Sequence, residues 1–515
     1  MLYKKNTASE LDEELFRNPT SEYRGTPFWS WNCKLDKDEL LWQIEVLKKM
    51  GFGGFHMHVR QGMATPYLGE EFMDLIAACV DKAKKEEMLA WLYDEDRWPS
   101  GYAGGFVTKD PEYRIRYLLL TPTPYEVEGG RGTHFNEQAV AVRSGHGRLV
   151  AAFDIVLDEN GCLKSHRILK EGETPEGRVW YAYIETPQCT PRYNGYTYAD
   201  TLKKAAIDRF IELTHEAYKK KIGSEFGSTV PAIFTDEPQF THKQTLPFAE
   251  SLQDIALPWT DDLPETFAAA YGEDLVANIP ELIWELPGGR VSRTRYRYHD
   301  HVCERFTEAF ADNIGGWCGK NNILLTGHMM KEPTLSSQTS AISEAMRAYR
   351  AFHIPGIDML ANRHEYTTAK QAQSAARQYG REGVMSELYG VTGWDYDFRG
   401  HKLQGDWQAA LGVTVRVPHL SWVSMEGEAK RDYPASISYQ SPWYPLYSYI
   451  ENHFARLNTA LTRGEPCVRV GVIHPIESYW LHWGPTEQTA LVRDQLESNF
   501  QSLTEWLLFG SVDFD

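Results

Sequence analysis

The feature that most constrains this chain is an alternation of short apolar segments with amphipathic segments, which occurs eight times along the sequence. Such alternation is typical of a parallel sheet whose strands are joined by helices. Most of the apolar segments end in polar or aromatic residues. The sequence therefore predicts an α/β fold, a (β/α)8 TIM barrel, with its chemistry at the carboxyl ends of the strands. The eight predicted strands cover residues 26–32, 51–58, 88–95, 230–237, 323–330, 354–360, 383–390 and 412–420.

One long stretch interrupts the barrel pattern after the third predicted strand. Residues 106–199 change from helical periodicity to the alternation of a half-buried strand, and the segment DENG at 158–161 has the composition of a hairpin turn. We therefore predict a small β-rich insertion at 106–199. The barrel would then be formed by residues 1–105 and 200–466.

A second change of pattern follows Gly464. An apolar segment at 468–476 precedes a helix near 485–508, and the chain stops where another strand would begin. This order is typical of the opening β-α-β unit of an α/β domain. We therefore predict that residues 467–515 are the start of a further α/β domain, one that would be truncated at Asp515.

The amino-acid composition of the chain disfavours several classes of function. The 515 residues include 53 basic and 71 acidic side chains, for a net charge of −18, which disfavours nucleic acid and anionic membranes as partners. Seven cysteines without a C-x-x-C pair argue against a disulfide framework or a zinc knuckle. Neither a signal peptide nor a membrane-spanning run is visible. We therefore expect a cytoplasmic protein that contacts neither nucleic acid nor a membrane.

Carboxylates stand at two strand ends that would face each other across a barrel. Glu237 follows the fourth strand and Glu387 lies in the seventh, while Glu332 follows the fifth as a third candidate. Cleavage of a glycosidic bond needs one carboxylic acid to protonate the leaving oxygen. It needs a second carboxylate to activate water or to attack directly. The sequence therefore predicts a glycoside hydrolase with Glu237, Glu387 and Glu332 as its candidate catalytic residues.

Other polar and aromatic residues near the strand ends are candidates for binding an oligosaccharide or glycoside, because sugars are bound by hydrogen bonds and by stacking on flat rings. The acidic cluster after strand three could alternatively hold a cation such as calcium, which takes oxygen ligands. The predicted substrate-binding residues are Trp31, Asn32, His56, His58, Asp94, Glu95, Trp98, Asp236, His328, Tyr389 and His419.

Three other functions remain open at this stage. A retaining glycosidase would use Glu387 as a nucleophile instead of a base. A metal-dependent amidohydrolase would use His56 and His58, because residues two apart on a strand face the same way. However, that class also needs an Asp at the end of strand eight, where this chain has His419. The third alternative is a barrel that binds carbohydrate without cleaving it.

Several motifs together resemble glycoside hydrolase family 106, known for α-L-rhamnosidases, over roughly residues 20–476. They are PFWSWN, GFGGFHMHVRQG, PYLGEEF, WLYDEDRWPSGYAGG, FIELTHEAY, FTDEP, GHMMKE, SELYG and HLSWVSMEGEAKRDYP. The resemblance implies inverting hydrolysis by two glutamates, with Glu237 as the acid and Glu387 as the base. It also implies calcium near the site as a candidate cofactor. The resemblance also implies accessory domains after the barrel, and we expect this chain to lack them.

Overall fold

The structure is a computed structural model that describes residues 2–4, 6, 10–125, 143–144, 146–428, 431 and 433–515. The middle of the predicted insertion and three positions of the motif at 419–434 lie outside this range. The strands are β1 (Phe28–Trp31), β2 (Gly54–Val59), β3 (Leu89–Tyr93), β4 (Arg116–Thr121), β5 (Arg148–Leu157), β6 (Leu163–Ile168), β7 (Arg178–Glu185), β8 (Ala232–Asp236), β9 (Ile255–Trp259), β10 (Leu324–His328), β11 (Ile354–Met359), β12 (Val384–Leu388), β13 (Val413–Pro418) and β14 (Ser421–Trp422).

Helices separate the parallel strands and form the outer layer. The α-helices are α1 (Glu13–Arg17), α2 (Lys37–Lys49), α3 (Glu70–Lys85), α4 (Lys204–Leu213), α5 (His215–Ile222), α6 (Leu263–Tyr271), α7 (Arg293–Phe306), α8 (Asn313–Lys320), α9 (Leu335–Ala341), α10 (Ala345–Tyr349), α11 (Tyr366–Gln378), α12 (Phe398–Ala410), α13 (Ser448–Leu461), α14 (Ile476–Leu481) and α15 (Thr486–Phe509). Across the described ranges, no helix combines the length and the apolar character that a membrane crossing requires.

The parallel strands close into a barrel, so the fold prediction is confirmed. Their order around the sheet is β13, β12, β11, β10, β8, β3, β2, β1 and β14. Only His419 and Leu420 separate β13 from β14 along the chain, so the two are halves of one eighth strand. The first half pairs with β12 and the second half with β1, and this closes the ring. Each of the eight predicted strand positions is a strand of the barrel, shortened by a few residues.

Strand alternation divides the apolar side chains between two cores. In β1, Phe28 packs inside the ring against Phe234 and Tyr93, with ring centroids 4.8 and 6.1 Å apart. Trp29 and Trp31 point the other way, into the layer between barrel and helices. Neighbouring residues of a strand face opposite sides of a sheet, so this parity decides which side chains can reach the barrel mouth.

A buried ion pair joins the start and the end of the barrel. Arg416 of β13 lies 2.6 Å from Glu451 of α13, and both side chains are buried, with 2% and 0% of their surface exposed. The same Glu451 oxygen accepts the N–H of Gly25, just before β1. The Arg416 guanidinium also lies 3.9 Å from the ring centre of Phe454. One carboxylate therefore ties the last strand, the last barrel helix and the first strand together.

The second sheet is antiparallel, with the order β6, β5, β7, β4 and β9. Four of its strands lie within the stretch where the sequence shows strand alternation. The fifth, β9, comes from residues 255–259, outside the predicted insertion, and pairs with β4 in register. The prediction missed β9 because its five residues, Ile-Ala-Leu-Pro-Trp, carry no alternation.

The C-terminal stretch packs against the barrel. The apolar segment at 468–476 forms one parallel bridge, between Val470 and Phe514, where a full strand was predicted. Helices α14 and α15 connect the two bridged positions. Asp513 pairs with Lys370 and Arg377 of α11 at 2.9 and 2.8 Å. These contacts attach the end of the chain to a barrel helix.

Removing the Glu451 carboxylate tests its role in closing the barrel. We expect Glu451→Ala to destabilise the protein by about 3–5 kcal/mol, because it leaves the Arg416 charge buried without its partner. The measurement is the midpoint of thermal unfolding followed by circular dichroism. Glu13→Ala is the control, since Glu13 pairs with Arg17 on the surface and such pairs contribute little. Equal midpoints for the two variants would contradict the role assigned to Glu451.

Candidate active site

Side chains from the strand ends meet in a small cavity at the carboxyl end of the barrel, here called the central pocket. Its volume is about 110 Å³. The pocket brings together predicted residues from four barrel strands and from the loop after β3, together with residues that were not predicted. It is lined by Arg60, Trp98, Asp236, Glu237, His328, Asp358, Leu360, Glu387, Gly390, His419 and Tyr433.

Strand register places the charged groups of the pocket in pairs. His328 of β10 is the register partner of Asp236 of β8, and Asp358 of β11 is the partner of Glu387 of β12. His328 Nε2 lies 3.1 Å from Asp236 Oδ1, and its Nδ1 lies 3.8 Å from Glu387 Oε2. Burial lowers the pKa of His328, but the Asp236 hydrogen bond and the nearby carboxylates outweigh it and raise this pKa well above the ordinary value. His328 is therefore a cation among carboxylates.

The glycine before His328 is required by the close approach of two strands. Gly327 has φ +128°, and a Cβ at this position would lie 1.9 Å from the carbonyl oxygen of Thr235. Only glycine adopts this conformation at low cost. The G-H sequence at this strand end therefore fixes the imidazole next to Asp236.

Asp236 is held by two hydrogen-bonded neighbours besides His328. The Tyr93 hydroxyl donates to Asp236 Oδ2 at 2.6 Å, and the backbone N–H of Asp236 donates to Ser100 Oγ at 2.8 Å. Ser100 in turn donates to Asp94 at 2.5 Å. Asp94 is fully buried behind this chain of hydrogen bonds, so its carboxylate supports Asp236 from outside the pocket.

Glu237 sits in a strained turn directly after β8. Its φ of +46° is unusual for a residue with a side chain, and Pro238 follows. Its Oε2 is buried without a hydrogen-bond partner among the described residues. Burial and the charge of Asp236 raise the pKa of Glu237 to about 8, against the opposing effect of His328. The group is therefore a protonated acid at neutral pH, which is the form that a general acid needs.

Glu387 faces two imidazoles and a carboxylate. Burial and the charge of Asp358 raise the pKa of Glu387 well above its ordinary value, against the opposing effects of the His328 cation and Arg60. His419 Nε2 lies 3.7 Å from Glu387 Oε1. Burial, with the charge of Arg60, lowers the pKa of His419 well below its ordinary value, so this ring is neutral. Glu387 therefore has one cationic and one neutral imidazole as neighbours.

The loop after β3 is organised by Glu95, whose two oxygens accept five backbone N–H groups between Asp96 and Gly104. This network fixes the loop that carries Trp98 into the pocket wall. The guanidinium carbons of Arg60 and Arg192 lie 4.7 and 5.6 Å from the centre of a Trp98 ring. Cations at such distances are attracted to the indole face, so Trp98 is held by the loop and by two arginines.

Several predicted binding residues lie outside the central pocket. Trp31 packs against Phe72 in the outer core, because strand parity turns it away from the barrel axis. Asn32 exchanges hydrogen bonds with the backbone of Ser424. Tyr389 is buried and donates to the carbonyl of His401. Asp94 and Glu95 support loops, as described above.

His56 and His58 are on the inner face of β2, as their spacing predicts, but lie below the pocket. Burial lowers the pKa of His56 to about 3, and its Nδ1 is 3.0 Å from the carbonyl of Thr26. His58 stacks on Phe28 with ring centres 4.4 Å apart, and its Nε2 lies 3.9 Å from Asp236. Both rings are fully buried.

A second and larger cavity, here called the outer cavity, adjoins the central pocket. Its volume is about 630 Å³, and it shares Glu237, Asp358 and Leu360 with the pocket. The third candidate, Glu332, lines this cavity instead of the pocket. Burial raises the pKa of Glu332 well above its ordinary value. Glu237 therefore stands at the junction of the two cavities.

Asp358 and Arg60 were missed in the sequence analysis. Asp358 lies near the end of the strand predicted at 354–360, and an acid near the end of an apolar run was the signal that identified Glu387. Arg60 follows His58 by two residues, so strand alternation places it on the same face. Tyr433 had no such signal, because it comes from a loop that the fold brings to the mouth.

The potential metal ligands of the central pocket do not fit a calcium site. Groups of three potential ligand atoms occur as Asp236, His328 and Glu387, and as Glu237, His328 and Asp358. Both include His328, whereas calcium takes oxygen ligands, and a protonated imidazole cannot bind a metal. Within the described part of the chain, no such group includes His56 or His58, so the amidohydrolase pattern is not assembled either.

Comparison with known proteins supports the fold. No family model matches the chain, and no curated protein matches it. The fold is similar to that of a rhamnosidase from Novosphingobium sp. PP1Y, at 14% identity and a TM-score of 0.63, over 90% of this chain and 62% of that one. A β-galactosidase from Bacillus circulans sp. alkalophilus is similar at 11% identity and a TM-score of 0.51, over 95% and 64%. The chain spans less than two thirds of either structure, and such identities support the fold alone.

The effect of calcium on thermal stability tests whether the pocket binds this metal. We expect treatment with EDTA, and later addition of calcium chloride, to leave the midpoint of thermal unfolding unchanged, because His328 already supplies the positive charge between the carboxylates. Differential scanning fluorimetry measures this midpoint. A calcium-dependent rise of the midpoint would contradict the charge assignment, since a ligand that binds the folded state stabilises it.

Proposed function

We propose that the protein is a glycoside hydrolase in which Glu237 is the general acid and Glu387 the general base. The observation that carries the proposal is the placement of both carboxylates on the wall of one pocket, from strand ends β8 and β12. Burial and the neighbouring Asp236 raise the pKa of Glu237 to about 8, which favours its protonated form at neutral pH. Glycosidic cleavage uses a pair of carboxyl groups, one as the acid and the other as the base.

The proposed reaction inverts the anomeric centre. Glu237 gives its proton to the glycosidic oxygen as the bond from this oxygen to the anomeric carbon breaks. On the opposite face, Glu387 takes a proton from a water molecule whose oxygen forms the new bond to that carbon. The products are a free sugar and an alcohol, and the proton taken up by Glu387 returns to Glu237 through solvent.

The remaining charged groups of the pocket suit the transition state of this reaction. Positive charge develops on the sugar ring as the bond breaks, and the carboxylates of Asp236 and Asp358 face the same pocket. The His328 cation and Arg60 both favour the ionised form of Glu387. Trp98 also lines the pocket, where its ring adds an aromatic surface for contact with a sugar.

For the sugar we propose α-L-rhamnose. The support is the set of motifs that resemble glycoside hydrolase family 106, of which FTDEP, GHMMKE and SELYG carry lining residues of the central pocket. The structural similarity to a rhamnosidase agrees with this choice. The test is hydrolysis of a panel of 4-nitrophenyl glycosides, in which the α-L-rhamnoside should be cleaved fastest.

Substitution of the two glutamates tests their roles. We expect Glu237→Gln and Glu387→Gln each to lower kcat at least roughly 100-fold, because acid–base catalysis contributes roughly 10²–10⁴. The measurement is release of 4-nitrophenol from the cleaved glycoside. Glu212→Gln is the control, since Glu212 lies on the surface of α4 and pairs with Arg209. Near-normal turnover in both pocket variants would refute the assignment.

The anomer that is first released separates inversion from retention. We expect proton NMR of the early products to show the anomer opposite to that of the substrate. Release of the same anomer would assign Glu387 as a nucleophile.

Asp358 should set the pH range of activity. Its charge raises the pKa of both Glu387 and Glu237, so Asp358→Asn should lower both values. Activity needs Glu387 ionised and Glu237 protonated, which places the alkaline limb of the profile near pH 8 in the unchanged protein. Both limbs of the kcat/KM profile should therefore move to lower pH, the acidic limb further. The control is Asp74→Asn on the surface, and a shift to higher pH would contradict the electrostatic assignment.

A further inference from the structure

The outer cavity adjoins the catalytic acid and has no role in the proposed reaction as described so far. It is bounded by the loops after β10 and β11 and by helix α15. Its lining includes Lys331, Glu332, Arg363, Tyr366, Gln501 and Glu505. Gln501 and Glu505 come from the C-terminal stretch, which the sequence analysis assigned to a separate domain. The C-terminal helix is thus part of a cavity at the barrel mouth.

The position of Glu237 defines what the outer cavity can hold. A general acid must lie within hydrogen-bond reach of the leaving oxygen. Glu237 lines both the central pocket and the outer cavity. If the reacting sugar occupies the central pocket beside Glu387, the leaving group extends past Glu237 into the outer cavity.

The two volumes agree with this division. The central pocket has about 110 Å³, whereas the outer cavity has about 630 Å³. Cavities that hold drug-sized ligands measure roughly 300–1,000 Å³. The outer cavity therefore has room for a leaving group of more than one sugar unit. The smaller central pocket is left for the single reacting sugar.

Helix α15 is fixed against the barrel on both sides of Gln501. Glu497 accepts the backbone N–H groups of Leu335 and Ser336 at the start of α9, each at 3.2 Å. Further along, Phe509 packs edge-on against Tyr366, with ring centres 5.7 Å apart. A carbohydrate-binding wall needs such rigid support, because ordering a mobile wall on binding costs free energy.

The lining of the outer cavity combines both signs of charge. Lys331 and Arg363 stand with Glu332, Glu365 and Glu505. This mixture offers donors and acceptors for hydroxyl groups. It does not provide the excess of positive charge that would favour a carboxylate or sulfate group.

We propose that the outer cavity is the leaving-group subsite, that it binds a neutral oligosaccharide, and that Gln501 and Glu505 of α15 bind it directly. The proposal rests on the glycoside hydrolase function proposed above. It makes the C-terminal stretch a determinant of substrate specificity.

A double variant on α15 tests this role. We first choose the sugar that the unchanged protein cleaves fastest among 4-nitrophenyl glycosides. Gln501→Ala/Glu505→Gln should affect kcat/KM on that small substrate much less than on a longer one, because its aryl leaving group fills only the part of the outer cavity next to Glu237. On a neutral trisaccharide with the same terminal sugar, the double variant should raise KM and lower kcat/KM roughly tenfold, because two hydrogen bonds to the substrate are lost. The matched control is Gln495→Ala/Glu487→Gln, whose residues lie on exposed positions of the same helix.

The outcomes separate the two proposals. If no glycoside of the panel is cleaved by the unchanged protein, the proposed function fails. If the aryl glycoside is cleaved but both double variants act equally on the trisaccharide, the subsite assignment fails. Faster cleavage of a trisaccharide with a uronic acid next to the terminal sugar than of the neutral one would overturn the proposed ligand class.

Discussion

The ion pair between Asp236 and His328 is the interaction on which the site depends. Asp236, Glu237, Asp358 and Glu387 face one small pocket, and four ionised carboxylates could not be buried together without compensation. His328 provides one positive charge at 3.1 Å from Asp236, and Arg60 provides another. The negative charge that remains uncompensated raises the pKa values of the carboxyl groups, that of Glu237 to about 8 and that of Glu387 well above its ordinary value. The protonated acid that the proposed reaction requires is thus a consequence of the charge balance.

This charge balance depends in turn on how the barrel is closed. Closure fixes the register between β8 and β10 and between β11 and β12, which places each charged side chain beside its partner. A shift by one residue would turn these groups out of the pocket. The Arg416–Glu451 pair holds the last strand against the first. The arrangement of charges at the barrel mouth therefore depends on the buried ion pair that joins the last strand to the first.

The sequence predicts the barrel well because hydrophobic periodicity is a local signal. The same reasoning locates Asp236, Glu237, His328, Glu387 and His419 at strand ends, and all of them line the pocket. It cannot assign Trp31, because parity depends on which residue of β1 faces inward. It cannot separate Glu95 from a sugar ligand, because the five N–H groups that this carboxylate accepts come from a folded loop. Tyr433 and Gln501 reach their cavities only through tertiary packing, which leaves no trace in local sequence.

The position of Glu237 between the two cavities links proton donation to binding of the leaving group. Its carboxyl group borders the small pocket on one side and the large cavity on the other, so whatever fills the outer cavity also changes the surroundings of the acid. A ligand that displaces water there removes solvation from the charged form of Glu237, and desolvation raises the pKa of a carboxylic acid. A well-fitting leaving group would therefore help to keep the acid protonated. Binding in the outer cavity and protonation of Glu237 would then be coupled.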